Sequence, residues 1–147
     1  HVVGPETGLS LPGALIVCGD SHTCTHGGLG ALAWGIGASE VGHALATGTI
    51  IQKKPRSLNV NIEGNRRPGV VAKDIILNLI AREGVTVGDN FAVEFSGPVI
   101  RELSIEGRMT ICNMSIEMGS KIGLVAPDDK TFEFLNGKEY SPNRLCM

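Results

Sequence analysis

Apolar residues recur along this chain at two different spacings, and the places where the spacing changes mark its elements. "GALIVCGD" (13–20) is an apolar run of strand length that ends at Gly19-Asp20. "CGDSHTCTHGGLG" (18–30) then breaks the pattern and reads as a polar loop, since Gly, Asp, Ser and Thr all suit chain reversal. Beyond it Val41, Ala44, Leu45, Gly48 and Ile51 recur at helical spacing, with Ser39 and Glu40 near the start. Lys53 and Lys54 suit the negative end of a helix dipole, and Pro55 stops the helix. From Arg56 the texture changes. "LNVNIE" alternates, so Leu58, Val60 and Ile62 share one strand face, and "NRRPG" makes a turn. "VVAKDIILNLIARE" puts Val71, Ile75, Ile76, Leu79 and Ile80 on one helical stripe, with Gly84 as its C-cap. "FAVEF" and "IGLVA" read as two further strands, and "GRMTICNMSIEMGS" between them as helical. "KEYSPNRLCM" has no periodicity and reads as a trailing end.

Strand, helix, strand, helix, strand is the order of an α/β unit with a mainly parallel sheet. "QKKPRS" divides the chain into residues 1–55, carrying the GDSHT loop, and 56–147, carrying the CNMSIE helix. With 42% hydrophobic residues the 147-residue chain can bury a core. A formal charge of −2 leaves no long basic face, so nucleic acid is not an expected partner. Apolar runs such as Ala14–Val17 are too short to cross a bilayer, so no membrane partner is expected. No signal peptide is visible, although the chain starts at His1 without Met. The cysteines at 18, 24, 112 and 146 include no CxxC pair, which fits neither a zinc site nor a disulfide framework and suits a reducing cytoplasm.

The loop at 18–30 crowds an acid, hydroxyls, imidazoles and thiols between a buried strand and a glycine-rich stretch, where open α/β sheets hold ligands. One expectation is therefore an anion held by the backbone amides of Gly27–Gly30, as in a non-catalytic binding or assembly module. Gly28-Leu29-Gly30-Ala31-Leu32-Ala33 also fits a loose dinucleotide fingerprint. Its glycines, however, lie well past the strand, and no acidic residue follows about 20 positions on. On the predicted helix 109–118, Asn113 and Glu117 are four apart and stack on one face, either solvated or turned into a cleft.

"CGDSHTCTHGGLGALAWGIGASEVGHALATGTI" and "EGRMTICNMSIEMG", with "QKKPRS" and "GLVAPDDKTFEFL", resemble the aconitase superfamily, and within it the isopropylmalate isomerase branch, from His1 to about Pro142. Homoaconitase and dimethylmalate dehydratase are the alternatives. The resemblance implies aconitase-like α/β/α domains with mainly parallel sheets: the end of a first domain plus most of a second. It implies a hydro-lyase that interconverts 2-isopropylmalate and 3-isopropylmalate by dehydration and rehydration, in leucine biosynthesis. It also implies a hydroxy-dicarboxylate substrate, a small partner subunit and a 4Fe-4S cluster whose open iron takes the substrate hydroxyl. By the same resemblance Asp20 and His22 work around the hydroxyl and water, and Ser21 lies near a substrate carboxylate. His1 pairs with Asp20 as a carboxylate–imidazole couple, Asn113 stands close to the cluster, and Glu117 lies near the iron-bound hydroxyl. The family's serine base lies elsewhere.

Other polar residues carry plainer expectations. His26 is read as hydrogen-bonded to backbone, and His43 as surface or packing. Cys18, Cys24 and Cys112 are read as small buried hydrophobes, and Cys146 as no ligand. The family's cluster cysteines and substrate-clamping arginines have no counterpart here. The chain thus reads as an internal fragment that alone binds no cluster and performs no dehydration, and whose uncovered apolar surface favours self-association.

Overall fold

The computed structural model describes residues 1–142, so Cys146 and the "NRLCM" end lie outside the described residues. Two parallel sheets form. β1 (Leu15–Cys18) pairs with β2 (Leu32–Gly35) in the register Leu15↔Leu32 to Cys18↔Gly35. β3 (Arg56–Asn61), β4 (Phe91–Ser96) and β5 (Ile122–Val125) form the second sheet in that order, all parallel. The α/β class with parallel sheets is as the hydrophobic pattern predicts. β4 is the central strand, and its Val93 and Phe95 are buried, as expected where helices cover a parallel sheet.

Parallel neighbours require crossovers. α3 (Ala72–Glu83) carries the chain from β3 to β4 and buries Ile76. Gly84 takes the C-cap with φ 94°, its N–H donating to Ile80 O. Val71 instead stands outside the stripe as the exposed N-cap residue. α4 (Pro98–Glu102) and α5 (Ile105–Asn113) carry the chain from β4 toward β5. The core joins Ile76, Val93, Phe95, Ile111 and Met118, with Leu58, Val60 and Ile62 of β3 packed against it.

A buried staple fixes the far side. Arg108 of α5, fully buried, donates from Nη1 to Asp128 Oδ1 (2.8 Å) and from Nη2 to Asp128 Oδ2 (2.6 Å), and also to Arg101 O (3.1 Å). Asp128 in turn caps α6 (Asp129–Leu135), accepting from Thr131 N, and the guanidinium holds its carboxyl below the usual range.

The structure departs from the predicted elements at five places. α2 (Ala38–Thr47) stops at Gly48, which enters the left-handed region at φ 66°, well before Lys53, Lys54 and Pro55. A glycine C-cap is the cheaper stop. β2 and the short α1 (Val3–Thr7) have no periodic signature to predict them. The predicted helix 109–118 is α5 up to Asn113, followed by a 3-10 turn from Met114 to Met118. The polar loop is, from Ser21 to Leu29, a 3-10 helix whose residues Thr23 to Leu29 are all buried.

That buried 3-10 segment lies between the sheets, against α5, β2 and β5. Glycine permits this. A Cβ on Gly28 would stand 2.6 Å from Met109 N, and one on Gly27 would run into the Gly123 carbonyl. Real Cβ atoms do not approach so closely, so only hydrogen at these positions lets the backbones meet.

Candidate active site

β1 ends at Cys18 and delivers Asp20 to the start of the 3-10 segment. Asp20 is its N-cap: Oδ1 accepts from His22 N at 2.7 Å, and the Asp20 carbonyl accepts from Thr23 Oγ1 at 2.6 Å. His22 departs from helical geometry at φ −86°, ψ 15°, which turns its ring outward while the following residues go inward. The ring meets Glu117 from the second 3-10 turn, with Nε2 3.3 Å from Oε1. On its other side Nδ1 lies 3.2 Å from Ser21 Oγ and 3.7 Å from Asp20 Oδ1. An ionised carboxylate only accepts, so in the neutral ring Nε2 carries the proton and Nδ1 accepts from the Ser21 hydroxyl. Asp20, Ser21, His22 and Glu117 thus form one open cluster, with side-chain exposures of 49% at Asp20, 38% at His22 and 56% at Glu117.

Asn113 reaches the cluster from beneath. At the last turn of α5 its Nδ2 donates to Thr25 Oγ1 at 2.8 Å, and Thr25 Oγ1 donates to His22 O at 2.6 Å. The Cys24 thiol donates to Asn113 O at 3.5 Å. Asn113 and Glu117 therefore do not stack on one helical face as the spacing predicts. The change from α to 3-10 winding after Asn113 sends the amide toward Thr25 and leaves the carboxylate beside His22.

His1 stands apart. It is exposed, and among the described residues no hydrogen bond or ion pair joins it to Asp20, whose nearest imidazole is His22. His26 is buried with Nδ1 2.7 Å from Ser10 Oγ, so its partner is a side chain rather than the expected backbone. Burial, and then the chain's amino-terminal charge, lower its pKa. His43 is exposed on α2 and reaches only Thr49 Oγ1, at 3.3 Å. Cys24 and Cys112 are buried and burial raises both thiols, that of Cys112 strongly. Cys18 is exposed, contrary to expectation, because β1 ends there with its side open.

The Gly27–Gly30 amides are not a nest facing an anion. Gly27 and Gly28 are spent on packing against β5 and α5, and Gly30, at φ 80°, turns the chain into β2. The residue that sequence reasoning missed is Thr25, which ties the two halves of the cluster together. Its signal was only its place one turn beyond His22.

Among the described residues no group of three His, Cys, Asp or Glu side chains is placed to hold a metal ion. The thiols of Cys18, Cys24 and Cys112 do not converge as three ligands of one ion. The described residues do not by themselves supply a cluster's ligands. No helix among the described residues is long and apolar enough to cross a membrane.

Residues 1–146 match the aconitase family (aconitate hydratase). The chain is 60% identical over 142 residues to the 3-isopropylmalate dehydratase large subunit 1 of Bradyrhizobium diazoefficiens, covering 97% of this chain and 30% of that protein. It is 60% identical over 97% of its length to the 3-isopropylmalate dehydratase large subunit of Listeria monocytogenes, covering 31% of that protein. To the large subunit of Listeria innocua it is 59% identical over 99% of its length, again covering 31%. The chain spans under a third of the length of these curated relatives. On the match across nearly its whole length, it belongs to the aconitase family.

Proposed function

We propose that this chain is the acid–base portion of a hydro-lyase interconverting 2-isopropylmalate and 3-isopropylmalate in leucine biosynthesis. The names of the relatives support this substrate over those of homoaconitase or dimethylmalate dehydratase. The observation that carries the reading is the His22–Glu117 contact, made between residues 95 positions apart. Dehydration expels hydroxide from one carbon and takes a proton from its neighbour, and rehydration reverses this. A carboxylate sharing a proton with an imidazole can protonate the departing hydroxyl and later take a proton from the returning water.

Each remaining member has a role. Asp20 holds the His22 backbone, and Ser21 fixes the ring's tautomer and stands near the place of a substrate carboxylate. Asn113 orients the segment through Thr25. His1 takes no part in this reading, since among the described residues nothing joins it to Asp20. A 4Fe-4S cluster, held in the parent enzyme by residues other than these, would supply Lewis acidity. The present residues supply proton movement around it. The small subunit is the partner of the parent enzyme, and the cytoplasm its compartment. The division at residue 55 would separate a first-domain remnant from a second domain. The chain alone performs no dehydration and self-associates through its uncovered apolar surface.

Calorimetry tests the reading. 2-Isopropylmalate should bind the chain, inorganic phosphate should not compete, and His22→Ala, which removes the imidazole from the cluster, should weaken binding about tenfold, or about 1.4 kcal/mol. Equal binding of phosphate and 2-isopropylmalate, or indifference to Glu117→Gln and His22→Ala together, would refute it. Turnover of 2-isopropylmalate by the chain after cluster reconstitution would refute its predicted inactivity.

A further inference from the structure

A cavity of about 680 Å³ opens where β3, β4 and β5 begin. Its wall includes Lys53, Lys54, Arg56 and Lys121 but a single carboxylate, Asp89. That is a concentration of positive charge in a chain whose net charge is −2. The cations come from separate places: the segment after α2, the first residue of β3 and the turn before β5. Convergence of this kind differs from a solvated helix face, where like charges merely share an element. Among the described residues none of the four is in an ion pair. Arg56 is laid flat on the Phe91 ring, 4.2 Å from its centroid, which fixes its charge at the cavity wall.

Trp34 packs beside these cations. It lines the same cavity, is 4% exposed, and its indole Nε1 finds no acceptor among the described residues. A buried indole N–H ordinarily has a partner. That N–H is itself shut off from the open cavity, so the site rests on the four cations without ionic partners, which mark a place for a group that only accepts. None of the cavity's lining residues is Asp20, Ser21, His22, Asn113 or Glu117.

We propose that this cavity binds a small phosphate-bearing anion. Three of its cations are lysines, compact point charges that suit the rounded, multiply charged phosphate. A planar carboxylate is better matched by free arginine forks, and the only arginine here is stacked. The volume lies within the span, about 300–1,000 Å³, of small-ligand sites.

Trp34 is the chain's only tryptophan, so its fluorescence reports on this cavity alone. The whole chain is titrated with inorganic pyrophosphate at constant ionic strength, with calorimetry in parallel. A saturable change in Trp34 emission with matching heat is expected. Lys53→Ala/Lys121→Ala should weaken it at least about tenfold, as loss of charge-assisted contacts does. Arg82→Ala and Glu117→Gln, both outside the cavity, should leave it within about twofold. The lysines are exposed, so an unchanged thermal melt shows that the double variant still folds. The proposal fails if neither emission nor heat saturates, if chloride reproduces the change, or if citrate binds as tightly as pyrophosphate. It also fails if the lysine variant binds like the parent or if Glu117→Gln abolishes binding.

Discussion

The two halves of this molecule solve burial differently. The β3–β4–β5 half closes on itself, with α3 and α5 covering a sheet whose central strand is dry. In the β1–β2 half, α2 buries no residue, and Leu45 and Ile51 are 84% and 88% exposed. What order the first half has comes from the 3-10 segment, which borrows the second half's α5 and β5 as its wall. The chemistry sits on that borrowed contact: His22 belongs to one half and Glu117 to the other. Stability and site geometry are therefore concentrated at the same joint, while α2 contributes to neither.

Breaking the joint should have the largest effect. Gly27→Val puts a branched side chain into the Gly123 carbonyl and should cost about 4 kcal/mol or more, beyond ordinary overpacking. Loss of a cooperative melt is the expected readout. Asp128→Ala, which strands a fully buried guanidinium, should cost about 3 kcal/mol by denaturant titration, the low end for a broken buried pair because Asp128 is partly open. The same carboxyl has its pKa lowered in the fold, so its contribution is full above the ordinary carboxylate range and is lost as pH falls through the lowered value. Ile76→Ala against Leu45→Ala sharpens the contrast between halves: about 2–5 kcal/mol for the buried residue, and under about 0.5 for the exposed one.

A smaller effect distinguishes His26. Its pKa is lowered in the fold, so the unfolded chain binds the extra proton first and stability falls as pH drops below about 6.5. Thermal melts between pH 7 and 5 should show this slope, and His26→Gln should flatten it. Glu117→Gln should also change stability little, by under about 1 kcal/mol, because the His22 contact is exposed to solvent. A large loss of stability in that variant would mean that the contact is structural.

Much of this was legible from residue spacing. β3, β4, β5 and α3 follow apolar periodicity closely, because each buries one face against a common core. The 3-10 segment was not legible, since Thr, Cys and Gly are small and carry no hydrophobic period, yet they are what close packing requires. The end of α2 was misplaced because Lys53, Lys54 and Pro55 looked like a stop, whereas Gly48 had already supplied one. For the site, the Asp20-Ser21-His22 cluster could be singled out by its chemistry. Its meeting with Glu117 was legible only through the resemblance, which sets both around one hydroxyl, because no local pattern encodes a contact across 95 positions. Asn113 and Glu117 do not share the helical face that their spacing predicts, as the winding changes between them.

Thr25 has one hydroxyl and uses both its capacities, accepting from Asn113 and donating to His22 O. It works as a spacer gauge between the end of a helix and the turn that bears the imidazole. Serine could keep both bonds, whereas valine, of similar shape, would keep neither. The tolerance on where the imidazole stands is thereby handed to a methyl-bearing alcohol that need never touch a reactant.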